Sequence, residues 1–202
     1  MTQGKGARSK PVLEVKKENP VVPMVTNGHV LVPGGIPRLR SKVAIVGFAP
    51  SSMADARVYF GDPAFEIWGI NQLYIAFPAM AKHATRWFQI HTRREYDAAV
   101  RDHAHHKWLS EQTLFPIYMQ GRDPEVPMSI PFPKDEIVNI FSRYFTNSIS
   151  WEIALAIYEG FKEIHIYGVD MSTDAEYREQ RPSCEYFVGW AKALGINVVI
   201  SP

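Results

Sequence analysis

The sequence predicts one α/β domain, with a mostly parallel sheet that carries helices on both faces. Two observations favour this class. Short apolar runs rich in β-branched residues alternate with segments of helical periodicity from about residue 42 to the end of the chain. The first of these runs also stops at a turn of small residues, which is typical of the strand that opens a doubly wound sheet. We therefore expect a single Rossmann-like domain over residues 41–202.

The composition fits a globular protein of one domain. The chain has 202 residues, of which 46% are hydrophobic, and its net charge is +1. This charge gives no electrostatic reason to expect wrapping of nucleic acid. Cys184 is the single cysteine, which excludes an internal disulfide. No apolar run approaches the roughly 20 residues that span a bilayer, and the first residues lack the apolar core of a signal peptide. We expect a cytoplasmic protein without a membrane span.

Residues 1–40 differ in composition from the rest of the chain. Proline and glycine are dense there, as in Pro33-Gly34-Gly35, and such density resists helices and central strands. We expect an extended arm that packs little against the domain. Several uses of the arm stay open: a disordered tail, an edge strand, a segment that binds another subunit or an assembly partner, and a basic contact with nucleic acid or a phosphate-rich surface.

Residues 42–74 are expected to form strand, turn, short helix and strand. The first strand covers residues 43–47 and ends at Gly47, where Ser51 can cap the short helix that follows. The second strand covers 65–69 and leads to Asn71. Ligands of such folds bind outside the carboxyl ends of the strands, so Gly47, Ser51 and Asn71 are candidate binding residues.

This turn is not the dinucleotide-binding fingerprint. The pattern GxGxxG counted from Gly47 would need glycines where Ala49 and Ser52 stand, and no acidic residue closes the second strand. The amide of Asn71 suits a base or a sugar hydroxyl instead. The alternative is that Asn71 is an ordinary loop residue and Ser51 only a cap.

The middle of the chain predicts two more strands. A short helix over 73–82, interrupted at Pro78, precedes a strand at 86–90 that ends on His91, and another strand is expected at 116–120. Residues 121–134 are rich in proline and predict a lid or binding loop. Residues 95–112 have helical spacing and include His103, His105 and His106. No third ligand from another segment accompanies these histidines, so we expect a solvated helix face and no metal site.

The last third of the chain supplies further candidate residues. Thr146, Asn147 and Ser148 are N-cap residues before a helix, and the next strand, at 163–168, leads to Asp170. Asp170 is the best candidate base, although it can also be read as a cap. A helix over 185–194 and a final strand at 196–200 complete the domain. Before that helix, Gln180, Arg181 and Ser183 can all face the ligand edge of the sheet. Arg181 is then either a phosphate contact or a surface-exposed residue.

The ordered motifs resemble a known family. GxxPS after the first strand, NQxY after the second, and a serine-rich cap before a helix leading to GFKEIHIYGVD are similar to the bacterial lipooligosaccharide sialyltransferases. They also resemble related bacterial domains of unknown function and, most closely, small uncharacterised phage proteins that carry the segment QRPSCEYF. The resemblance covers residues 42–202 and leaves out the arm.

The resemblance implies a Rossmann-like domain that binds CMP-sialic acid and transfers the sugar with inversion. By position, Asn71 matches an asparagine that contacts the cytidine nucleotide, and Ser148 matches a serine of the donor site. Two departures stand out. Phe48 replaces the family's asparagine in the first turn, and the catalytic histidine, expected near Tyr177, has no counterpart, since no histidine follows His165.

Three function classes follow from these observations. The first is a glycosyltransferase-like enzyme that uses a nucleotide-activated sugar, with Asp170 or His91 as the base and with Arg181 and the helix start at Ser148 holding the phosphate. The second is a non-catalytic nucleotide-binding or assembly protein, in which the arm docks onto a partner or onto a second copy of the chain. Hydrolysis of a nucleotide-linked substrate is a third, less favoured, reading. No cofactor is expected, and a phage gene would place the protein in the host cytoplasm.

Overall fold

The computed structural model of the protein describes residues 25–26, 29–30, 36–95, 103–171, 173–174 and 176–201. Most of the predicted arm lies outside these residues. Two short segments of it, β1 (Val25–Thr26) and β2 (His29–Val30), pair antiparallel with each other.

Seven parallel strands form the main sheet, in the order β7-β6-β5-β4-β3-β8-β9. The strands are β3 (Lys42–Val46), β4 (Phe65–Ile70), β5 (Arg86–Gln89), β6 (Ile117–Met119), β7 (Ser129–Pro131), β8 (Glu163–Tyr167) and β9 (Asn197–Ile200). Every neighbouring pair in this sheet is parallel. The predicted α/β class, a single Rossmann-like domain, is confirmed.

One strand lies where a loop was expected. The segment 121–134 contains β7, at one edge of the sheet. Proline lacks the N–H that a central strand needs, but an edge strand tolerates it. The prolines of this segment favoured the prediction of a loop. They are compatible with β7 because an edge strand pairs on one side only.

Helices cover both faces of the sheet. They are a 3-10 helix (Met53–Tyr59), α1 (Leu73–Ala76), α2 (Pro78–His83), α3 (His103–Ser110), α4 (Lys134–Phe141), α5 (Ser148–Tyr158) and α6 (Arg181–Ala193), with a π-helical turn (Glu176–Gln180) just before α6. Consecutive strand residues point to opposite faces. Trp87 packs against Trp108 of α3, whereas Phe88 stacks on Tyr118 on the other face.

Two helices begin or end away from their predicted bounds. The helix predicted over 185–194 already begins at Arg181, with proline in its first turn. Of the helix predicted over 95–112, residues 96–102 fall outside the described residues. Residue 95 is helical, and α3 ends at Ser110, two residues before the predicted end. The interruption predicted at Pro78 is present, because α1 ends at Ala76 and α2 begins at Pro78.

A buried ion network lies at the amino ends of the strands. The guanidinium of Arg86 is 2.7 Å from a carboxylate oxygen of Glu66 and 2.7 Å from one of Glu159, and all three side chains are almost fully buried. The Tyr118 hydroxyl lies 3.2 Å from the same guanidinium. Each buried charge therefore has a partner, as burial requires.

Two residues near the end of the predicted arm, Arg38 and Leu39, form hydrogen bonds with residues in and beside this network. The Leu39 N–H donates to Glu66 Oε1 at 2.5 Å, and Arg38 donates to the carbonyls of Glu159 and Gly160. The expectation that residues 1–40 pack little against the domain is therefore wrong for residues 36–40. The sequence pattern could not show these bonds, because they use backbone groups and a buried carboxylate of a distant strand.

Candidate active site

A cleft of about 410 Å³ opens where the sheet reverses its direction of winding. From β3, the chain runs outward through β4 to one edge of the sheet and returns to β8 on the other side of β3. Ligands of open α/β sheets bind at such switch points, outside the carboxyl ends of the strands. We call this the switch-point cleft, and it is lined by residues 47–50, 70–71, 91, 146–149, 168–171 and 180.

Five of the predicted site residues line this cleft. They come from five separate segments of the chain, and they are Gly47, Asn71, His91, Ser148 and Asp170. Ser51 stands next to them, because its hydroxyl donates to Asp170 Oδ2 at 3.3 Å. The roles of these residues in binding and catalysis stay predictions.

The first turn is closed by Ser52 rather than by Ser51. The Ser52 hydroxyl is buried and accepts from the Gly168 N–H at 3.0 Å, so it joins the loop after β3 to the loop after β8. It therefore makes no capping bond to the 3-10 helix that follows. Ser51, which is exposed, is left free to contact Asp170.

Asn71 is held in an unusual backbone conformation. Its φ is +44°, which an asparagine adopts more readily than most residues. Its N–H donates to the Phe88 carbonyl at 2.9 Å, and its own carbonyl accepts from Trp87 Nε1 at 2.9 Å. Its Oδ1 is buried and has no hydrogen-bond partner among the described residues. A buried acceptor without a partner is costly, so the amide is ready to accept from a ligand.

The start of α5 presents backbone donors to the cleft. The Asn147 side chain accepts from the Ser150 N–H at 2.9 Å, which makes Asn147 the N-cap. Its amide also donates to the Gln180 carbonyl at 2.8 Å and so ties α5 to the turn before α6. The N–H groups of Ser148 and Ile149 belong to the first turn, where no helical carbonyl can accept them. Together with the positive end of the helix dipole, they favour an anion.

The two candidate bases stand on the exposed parts of the cleft. Asp170 follows β8 and is fixed through Ser51, as described above. His91 follows β5, and its carbonyl accepts from Gln89 Nε2 at 3.4 Å. Gln89 is itself held by His105, whose Nε2 lies 2.7 Å from Gln89 Oε1. The backbone of His91 is therefore linked to a buried pair of side chains.

Arg181 and Ser183 do not line the switch-point cleft. Arg181 forms an ion pair with Glu185 one helical turn later, at 2.7 Å, and borders a different cavity. Ser183 is fully buried, and its Oγ has no partner among the described residues. The surface-exposed alternative therefore holds for Arg181. Ser183 differs from the expectation because α6 begins at Arg181, which turns Ser183 toward the core.

The histidine-rich helix is not the solvated face that the sequence predicted. His105 is fully buried between Gln89 and Tyr74. His106 is mostly buried and lies 3.0 Å from Glu125, whose pKa is lowered by Arg93 first and by His106 as well. Within the described residues, no group of three His, Cys, Asp or Glu side chains is placed to hold a metal ion.

Sequence reasoning missed Phe48 as a cleft residue. Its ring lines the cleft and is 43% exposed. A large apolar residue directly after the glycine of a turn is the signal that could have indicated it. The exposed ring adds aromatic surface to a cleft that is lined by both polar and apolar groups.

A buried polar layer lies behind the cleft, between α5 and α6. The Glu152 carboxyl is fully buried with no hydrogen-bond partner among the described residues, and burial raises its pKa well above 4.5. Burial also raises the pKa of the Cys184 thiol to about 12, although Asn147 Oδ1 lies 3.4 Å from its sulfur. Cys184 is therefore a packed thiol and not a nucleophile.

Known proteins resemble this chain in structure. No family model matches the chain, and no curated protein matches it. Among solved structures, the chain is similar to the sialyltransferase CstII from Campylobacter jejuni, in complex with a substrate analogue, cytidine-5'-monophosphate. The TM-score is 0.48 and the identity 16%, over 79% of each chain. No helix in the described part of the chain is long and apolar enough to cross a membrane.

Proposed function

We propose that the protein binds a nucleotide-activated sugar in the switch-point cleft and transfers the sugar to an acceptor hydroxyl. One observation carries this proposal: one cleft is lined by an amide oxygen that has no partner among the described residues, by a helix start and by an exposed carboxylate. They belong to Asn71, Ser148 and Asp170, respectively. The motif resemblance to bacterial sialyltransferases supports the same reading and makes a cytidine-nucleotide-activated sugar the first donor to test.

Each part of such a donor would have its own place in the cleft. The Asn71 amide can accept from an amino group of the base or from a ribose hydroxyl, and the Phe48 ring offers apolar surface for the base. The phosphate fits at the start of α5, where the backbone N–H groups of Ser148 and Ile149 and the helix dipole favour negative charge. Such donors stabilise the leaving phosphate as its charge develops.

Asp170 is the proposed base. Its carboxylate would take the proton of the acceptor hydroxyl as the sugar is transferred, and the Ser51 hydroxyl would hold the carboxylate in place. His91 is the second candidate, because it lines the same cleft.

A thermal-shift screen over nucleotides and sugar nucleotides tests this function. A true donor at about 100 times its dissociation constant should stabilise the fold by about 2.7 kcal/mol. The matched control is Asn71→Gly, which keeps the left-handed backbone but removes the amide, and it should reduce the shift. If no nucleotide or sugar nucleotide stabilises the protein, the proposal is wrong.

A nucleotide-binding protein without turnover is the second candidate. The absence of any histidine after His165, where the resembling family has its base, favours it. In this case nucleotides would stabilise the protein, but no sugar would be transferred or hydrolysed. Residues 1–40 would then serve to dock a partner or a second copy of the chain, and the phage resemblance would place this assembly in the host cytoplasm.

A further inference from the structure

β9 forms an edge of the sheet, and no described strand pairs with its outer side. The N–H of Asn197 donates to the Lys162 carbonyl, on the side of β8. Because successive N–H groups of a strand point to opposite sides, those of Val198 and Ile200 point outward from the sheet. An edge with outward N–H and C=O groups can pair with a further strand.

The sequence of β9 does not protect this edge. Edge strands are commonly protected by proline or by charged side chains, and β7, at the opposite edge, contains Pro131. β9 has neither a proline nor a charged residue. It also exposes apolar surface, because Ile200 is 49% exposed and Val199 is 37% exposed. The edge is therefore suited to a partner strand.

α6 presents an exposed glycine beside the same edge. Gly189 lies in the interior of the helix, where glycine is the poorest helix former after proline. A Cβ added there would meet no atom within 4 Å, so no described neighbour requires a glycine. Gly189 and Ile200 line one cavity between α6 and the carboxyl end of β9, which makes the helix and the edge strand neighbours. A residue without a side chain allows a second helix to approach closely.

Two opposite charges flank Gly189 on one stripe of α6. Glu185 and Lys192 are both exposed, and their spacing of about two helical turns points them to the same side. Glu185 Oε1 bonds to Arg181 Nε, which leaves the second carboxylate oxygen for another cation. The acid and the base lie at equal distances from the midpoint between Val188 and Gly189. An antiparallel copy of the helix would therefore place each Glu185 opposite Lys192 of the other copy.

We propose that a second copy of this chain docks on the β9 edge and on α6 across a two-fold axis. The two β9 strands pair antiparallel, and the two α6 helices pack beside each other. Val198 of each copy then exchanges backbone hydrogen bonds with Ile200 of the other, and the axis passes by Val199. Such an interface uses the same patch of both copies, so the patch has to be complementary to itself.

One axis serves both pairs of elements. From the midpoint between Val188 and Gly189, α6 runs about 7 Å further to its end at Ala193, at about 1.5 Å per residue. From Asn197, β9 returns about 7 Å to Val199, at about 3.3 Å per residue. The centre of the charged stripe and the centre of the strand therefore lie at the same level along the edge.

The spacing across the axis also fits. Neighbouring strands are about 4.8 Å apart, so the axis lies about 2.4 Å beyond β9. α6 connects β8 to β9 and borders a cavity with residues of both strands, so it lies over this pair. A helix there is about 5 Å from the axis. The two helices are then about 10 Å apart, which is a normal distance for packed helices.

Sedimentation equilibrium of the full-length protein tests this interface, and the wild type should be a dimer. Glu185→Lys and Lys192→Glu each bring like charges together at both ends of the helix pair. Each variant alone should raise the dissociation constant of the dimer at least tenfold. An equimolar mixture of the two variants should recover the dimer, because each acid then faces a base again at both ends.

Lys82→Glu is the matched control, since it makes the same charge change on an exposed residue of α2 and should dimerise as the wild type does. Recovery in the mixture also shows that both interface variants fold. A monomeric wild type would overturn the proposal. A dimer that both variants keep would assign the contact to another surface, such as residues 1–40, and would overturn it as well. A mixture that stays monomeric would exclude the antiparallel pairing of α6.

Discussion

Gly47 and Gly168 meet backbone to backbone at the switch point of the sheet. A Cβ on Gly47 would lie 2.5 Å from the Gly168 carbonyl oxygen, and a Cβ on Gly168 would lie 2.6 Å from the Gly47 carbonyl oxygen. The Ala49 N–H donates to that same Gly168 oxygen at 2.8 Å. The loops after β3 and β8 therefore approach to a distance that only two glycines allow, and the switch-point cleft lies directly outside this contact.

Gly168→Ala should destabilise the fold by about 2 kcal/mol or more, because it adds a clash to the strain of a left-handed backbone with φ of +62°. Gly195→Ala is the matched control. Its φ is +78°, but its added Cβ meets nothing within 4 Å, so it should lose only about 1 kcal/mol. Urea unfolding of the two variants measures both losses. Equal losses would mean that the contact with Gly47 is not tight in solution.

The elements of the sheet were largely predictable because each strand carries its own signal. Apolar, β-branched runs bounded by small or polar residues placed six strands to within one residue at each end. Parallel strands also bring their carboxyl ends to one edge, so Asn71 and Asp170 could be assigned to the same side of the sheet. The closeness of Gly47 to Gly168 was not predictable, since it depends on which two strands are neighbours.

The direction of individual side chains was less predictable. Arg181 and Ser183 have suitable chemistry for a ligand, but the helical phase of α6 is set by Phe187 packing into the core, and it turns Ser183 inward. The direction of the His105 side chain was equally unpredictable. The helical spacing predicted that it faces solvent, but the fold buries it against Gln89. In both cases tertiary packing, and not the local sequence pattern, determines which way the side chain points.

Residues 36–40 should contribute measurably to stability. Removing residues 1–40 takes away the Leu39 N–H bond to Glu66 and the Arg38 bonds to the end of α5. Hydrogen bonds to charged groups are worth about 1.5–3 kcal/mol each. A chain lacking residues 1–40 should therefore melt at a lower temperature than one lacking residues 1–35. The same melting temperature for both chains would show that these bonds add nothing.

Asn71→Ala should weaken nucleotide binding by about 1–2 kcal/mol, the value of one lost hydrogen bond with an unsatisfied partner. Asn71→Gly separates the amide from the backbone, because glycine adopts a positive φ without strain. Both variants should lose the same affinity in a calorimetric titration, and only Asn71→Ala should lose stability. Wild-type affinity in Asn71→Gly would remove the amide from the binding site.

Glu152 should make the stability of the protein depend on pH. Burial raises the pKa of its carboxyl above the unfolded value of 4.5, so the folded state holds the proton more tightly. The stabilisation is complete below pH 4.5 and is lost as pH rises toward the folded pKa. Across this range, the stability of wild type relative to Glu152→Gln should fall by about 1.4 kcal/mol per pH unit. Urea unfolding at a series of pH values checks this, and a constant difference would contradict it.

Asp170→Asn should spare nucleotide binding and abolish sugar transfer. Asparagine keeps the shape of the side chain and can still bond to the Ser51 hydroxyl, but it cannot take a proton from the acceptor. A loss of kcat with an unchanged nucleotide shift is what removal of a base predicts. Ser51→Ala is the graded comparison, because it leaves the carboxylate and removes only the group that holds it, so it should lower kcat far less. Normal transfer by Asp170→Asn would exclude Asp170 as the base, and His91→Gln would then be the variant expected to lose turnover.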